Sequence, residues 1–102
     1  MATLHTVNKS PFERNSLEGC IRLAAKGSAV LLIEDGVYGA MKGTAKSAVV
    51  ESAMGDVKIY ALGEDLDARG IAKDKLIDGI ETVDYAGFVK LVCDYDKTNS
   101  WL

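Results

Sequence analysis

The sequence predicts a small α/β domain built on a mostly parallel sheet of four to five strands with helices on both faces. Three observations carry this. Short apolar or β-prone runs alternate with helical patterns along the whole chain, the order that produces parallel strands joined by right-handed helical crossovers. Residues 29–33 form an unbroken apolar run, as a strand does when both its faces are buried. A length of 102 residues with 48% hydrophobic and 26% charged side chains suits one domain around one modest core.

Residues 2–7 read as the first strand, broken by Asn8, Lys9, Ser10 and Pro11. A helix follows from Phe12 or Ser16 to Lys26, with Leu17, Cys20, Ile21, Ala24 and Ala25 at helical spacing and Gly27 as its left-handed cap. Residues 29–33 are the second strand, ended by Glu34, Asp35 and Gly36. Residues 37–41 read as a helical turn and 44–54 as a weak second helix. After a turn at Gly55-Asp56, residues 57–62 form the third strand, and 64–69 a short helix stopped by Gly70. Residues 80–83 are the fourth strand. Asp84 then caps a last helix over about 85–95, with Tyr85, Phe88, Val89 and Val92 on one face. Residues 99–102, with Trp101, read as a short edge strand or a docking tail.

Composition narrows the function. A net charge of −3 argues against direct binding to nucleic acid, which relies on Lys and Arg to neutralise phosphates. Residues 1–7 are neither basic nor apolar enough for a signal peptide, and the longest apolar run is too short to span a bilayer, so the chain reads as cytoplasmic, without membrane attachment. Two distant cysteines, one histidine and no CxxC predict neither a disulfide framework nor a metal site. No GxGxxG, GxxxxGK or GxSxG string occurs, so no nucleotide cofactor and no serine triad is expected.

In a parallel sheet, reactive groups gather at the carboxyl ends of the strands, here residues 7–10, 34–37, 62–65 and 83–85. Glu34-Asp35 and Glu64-Asp65 follow two such ends and are expected near one another. Such a pair either shares a proton and acts as an acid, or simply forms a turn and caps the following helix. His5 is either a hydrogen-bonded strand residue or a polar group beside a site. Cys20 is the one serious nucleophile. Its thiolate would displace sulfur from a persulfide and hand it on, although it falls inside the apolar stripe of its helix, where a cysteine packs as a small hydrophobe. Cys93, beside Asp94 and near a helix C-terminus, is disfavoured as a thiolate and reads as structural.

Several strings are similar to one family. Leu4-His5-Thr6 with Ser10-Pro11, Leu31 to Val37, Tyr60 to Gly70, Asp84-Tyr85 with Phe88-Val89 and Leu91, and Ser100-Trp101 resemble the DsrH/TusB proteins across nearly the whole chain. The resemblance implies a subunit of a cytoplasmic sulfur relay, assembled with DsrE/TusD-like and DsrF/TusC-like subunits into a hetero-hexamer that passes persulfide sulfur to a downstream acceptor protein. It places the principal sulfur-carrying cysteine on the DsrE/TusD-like partner. A cysteine on the first helix resembles the DsrH branch, which serves intracellular sulfur oxidation, and implies that Cys20 is a second persulfide carrier. The alternative is a TusB-like structural subunit, without a sulfur-carrying role, of a complex that thiolates the wobble uridine of tRNA.

Overall fold

The computed structural model describes residues 2–102; Met1, which begins the segment read for a leader, lies outside them. The five strands are β1 (Thr3–Val7), β2 (Ala29–Leu32), β3 (Lys58–Leu62), β4 (Glu81–Val83) and β5 (Lys97–Trp101). They form one sheet in the order β4-β3-β2-β1-β5, and every neighbouring pair is parallel. The helices are α1 (Ser16–Leu23), α2 (Ser47–Ala53), α3 (Gly63–Ala68) and α4 (Tyr85–Asp94). Short 3-10 helices span Glu34–Ala40 and Lys73–Lys75.

Side chains alternate across the sheet as strand geometry requires. Val7, Val30, Leu32, Ile59 and Ala61 point to one face and pack with Leu17 and Cys20 of α1, Val50 of α2 and Leu66 of α3. Leu4, Ala29, Leu31 and Tyr60 point to the other face and meet Leu91 of α4. β2 sits at the centre, with all four residues wholly buried, which is why its sequence is apolar without alternation. The predicted fold is therefore the observed one, with the tail paired as a full fifth strand beside β1.

The sheet grows from β1 through β2 and β3 to β4 in one direction. The chain then crosses back through α4 to place β5 on the far side of β1. Among the described residues, α4 alone supplies the helical cover of its face. Its start follows the sequence expectation, since Asp84 Oδ1 accepts a hydrogen bond from the Gly87 N–H at 2.8 Å, satisfying a donor that the first helical turn leaves free.

Three details differ from the sequence expectation. α1 ends at Leu23, not Lys26, because Ala24 donates to the Cys20 carbonyl and then turns extended, with ψ 123°. Gly27 does adopt a positive φ of 91°, but in the turn into β2, where its N–H bonds the Asp56 carbonyl. The face of α4 formed by Tyr85, Val89 and Val92 looks outward, and the sheet is met by Leu91, with Phe88 and Tyr95 half-buried.

The 3-10 segment after β2 is pressed against the end of β1. Gly36 lies so close that a Cβ built on it would sit 2.1 Å from the Val7 carbonyl oxygen. That oxygen also accepts from the Ile33 N–H at 3.0 Å. The approach fixes where β2 stops and aims Glu34 and Asp35 towards α3.

Candidate functional site

The carboxyl ends of β2 and β3 bring the predicted carboxylates together. Asp65 Oδ2 accepts from the Glu34 N–H at 2.7 Å, holding Glu34 in a left-handed conformation at φ 49° that non-glycine residues seldom adopt. Arg69, one turn along α3 from Asp65, reaches Asp35 Oδ1 at 2.8 Å and Asp65 Oδ1 at 3.8 Å, and its Nη1 also donates to the Asp65 carbonyl at 3.2 Å. The expected neighbourhood of the two acidic pairs is thus real. Its chemistry is that of an ion-pair clasp, because a guanidinium lies against both carboxylates. Nor does either residue cap α3, whose N-terminus carries no side-chain cap. Glu64 Oε2 accepts from the Tyr85 N–H of α4 at 3.3 Å, while its Oε1 is buried with no partner. Asn8 Oδ1, just past β1, is likewise buried without a partner.

Between α3, the end of β4 and the first turn of α4 lies an open cleft of about 600 Å³, whose walls combine the charged Glu64, Asp67, Lys73 and Asp84 with apolar residues such as Leu66 and Ile71. Two of its walls are the strand ends at 62–65 and 83–85 that the sequence marks, but the part from Leu66 to Lys73 is not marked there. The signal present was Asp84-Tyr85 following a strand end.

Cys20 lies elsewhere. It sits wholly buried under α1 among the core side chains, and burial pushes its thiol up to about 12. A thiol in that state is protonated at neutral pH and is a poor nucleophile. Burial is the cause of that shift, with no counteracting contribution from Arg22 or Lys26. The packing expected from periodicity is therefore the placement observed. Cys93 is exposed on α4, in contrast to its reading as a structural residue. Among the described residues, no three His, Cys, Asp or Glu side chains converge to hold a metal ion, and no helix is long and apolar enough to cross a membrane.

His5, in β1, accepts a hydrogen bond at Nδ1 from the Trp101 Nε1–H of β5 at 3.1 Å. The indole donor requires an unprotonated Nδ1, so the neutral ring carries its proton on Nε2. Burial also lowers the His5 pKa below 6.5. Because the folded state holds the proton less tightly than the unfolded state, this contribution to stability is complete above about pH 6.5 and is lost as pH falls towards the folded-state pKa. Melting temperature is expected to drop between pH 7 and pH 5, with a concurrent change in the fluorescence of Trp101, the one tryptophan in the chain. A His5→Gln variant should lack this acid limb, and an unchanged limb in that variant would refute the assignment.

The DsrH-like protein family matches residues 9–98. The chain belongs to the DsrH-like family. Protein TusB of Enterobacter sp. (strain 638) is 37% identical over 98 residues, covering 96% of this chain and 99% of that protein. Protein TusB of Shigella flexneri is 34% identical over the same shares of both chains. The crystal structure of the ychN protein from E. coli has the same fold, with a TM-score of 0.77 at 19% identity over 99% of this chain and 100% of that one. The DsrH-like match includes Cys20, the Arg69 clasp and α4, whereas both partners of the His5–Trp101 hydrogen bond fall outside it.

Proposed function

We propose that this chain is a non-catalytic subunit of a cytoplasmic sulfur relay serving 2-thiolation of the tRNA wobble uridine. In this reading it assembles with DsrE/TusD-like and DsrF/TusC-like chains into a hetero-hexamer. The partner's cysteine carries the persulfide sulfur onward to an acceptor protein, and Cys20 packs the core. The observation that carries it is the burial of Cys20 in a chain similar to TusB proteins. Persulfide exchange begins with a thiolate that reaches the donor sulfur, and a wholly buried thiol pushed up to about 12 meets neither condition. The reading as a sulfur-oxidation carrier leaned on Cys20, and it loses that support.

The test is complementation. In a bacterium deleted for its own copy, this chain co-expressed with its two companions should restore 2-thiouridine in tRNA, and a Cys20→Ala variant should restore it equally. Loss of thiolation in Cys20→Ala with the complex intact, or a gain of about 32 Da on the Cys20 peptide after incubation with a persulfide donor, would overturn the structural role. Failure of the intact chain to complement would overturn the pathway assignment.

A further inference from the structure

The last helix is apolar over more of its circumference than the sheet covers. Leu91 is buried, but Tyr85, Val89 and Val92, spaced four and three residues apart on one face, are 56%, 63% and 41% exposed. A row of large apolar side chains on a small soluble domain marks an interaction surface. The row does not end in neutral surroundings. Tyr85 is tied through its N–H to Glu64 Oε2, and Glu64 lines the cleft beside the first turn of the helix together with Asp67, Asp84 and a single ammonium, Lys73. The apolar face therefore begins beside the cleft, which Asp84 and Gly87 at the start of the same helix help to line, and the buried Glu64 Oε1 at that junction lacks a donor.

We propose that this surface docks a partner protein whose contact patch is apolar and flanked by a Lys or Arg side chain that enters the cleft and donates to Glu64. Charge decides among occupants. A second copy of this chain carries a net charge of −3 and the same acidic cleft, so it offers repulsion and no basic complement to Glu64. An anionic bilayer is disfavoured for the same reason. A basic-flanked protein patch matches both halves of the surface. This inference rests on the reading of the chain as a subunit, and it states which face that subunit offers.

The experiment uses the complex purified with the DsrE/TusD-like and DsrF/TusC-like chains. Val89→Glu and Asp67→Lys are each expected to weaken assembly roughly tenfold or more by analytical ultracentrifugation, as truncating a central interface residue commonly does. Glu51→Lys, an exposed change on α2 across the sheet, should leave assembly unchanged. All three positions are exposed, so the isolated variants should melt with the parent chain, which separates lost docking from lost folding. A complex that survives both Val89→Glu and Asp67→Lys, or that is lost equally in Glu51→Lys, overturns the assigned surface while leaving the relay reading in place. Absence of any complex with the unaltered chain overturns the relay reading and this inference with it.

Discussion

Replacing Gly36 by alanine is expected to lower the unfolding free energy by about 3 kcal/mol, the upper range for forcing an atom into a packed site. For a domain of this length that corresponds to a melting temperature lower by roughly 12–20 °C. The reason is local. The new methyl would lie 2.1 Å from the Val7 carbonyl oxygen and 2.9 Å from its carbon, and both are backbone atoms that no rotamer change can move. Relief requires β1 to separate from the 3-10 segment, which would stretch the hydrogen bond from Ile33 to the same oxygen. Gly55→Ala is the matched control, because a Cβ there meets nothing within 4 Å. It should be neutral or slightly stabilising, since alanine restricts the unfolded chain. Urea unfolding of the two variants, read at unchanged m-value, checks both. Equal stabilities would mean that the contact between strand end and helical segment yields without cost.

The second large effect is chemical. In the native protein at pH 7, iodoacetamide should label Cys93 readily and Cys20 hardly at all. A shift of the Cys20 thiol from 9.0 to about 12 alone cuts its thiolate fraction about a thousandfold, and full burial denies the reagent contact. In urea both thiols should react at similar rates, because the barrier belongs to the fold. Peptide mass spectrometry after timed quenching reads the two sites separately. Comparable native labelling of Cys20 and Cys93 would show that α1 lifts from the sheet often enough to expose the core thiol. That result would return Cys20 to consideration as a sulfur carrier.

Much of the architecture was legible in the sequence, for identifiable reasons. β2 stood out because its residues are all apolar and all buried, and α4 because Asp84 precedes its first turn and caps it as expected. Even the packing of Cys20 was written in the spacing of Leu17, Cys20 and Ile21. What the sequence could not convey was orientation. Helical periodicity identifies an apolar face on α4, but only the tertiary structure reveals that Leu91 meets the sheet while Tyr85, Val89 and Val92 do not. The carboxylate clusters illustrate the same limit. Their adjacency followed from the parallel sheet, but the intervention of Arg69 depends on a side chain one helical turn further on. The His5–Trp101 hydrogen bond joins residues 96 positions apart, beyond any local pattern.

The position of β5 beside β1 bears on how the molecule is made. Thr6 and Ser100, whose hydroxyls meet at 3.3 Å, are separated by 94 positions, so one flank of the first strand stays unmatched until the β5 segment has been synthesised. Long-range pairings of this kind form late and slow the folding of a chain, and an unpaired strand margin invites mispairing in the interval. A ribosome-bound nascent chain halted before residue 97 should therefore carry an open sheet and an unquenched tendency to stick, relieved only when the segment ending in Trp101 emerges and closes it.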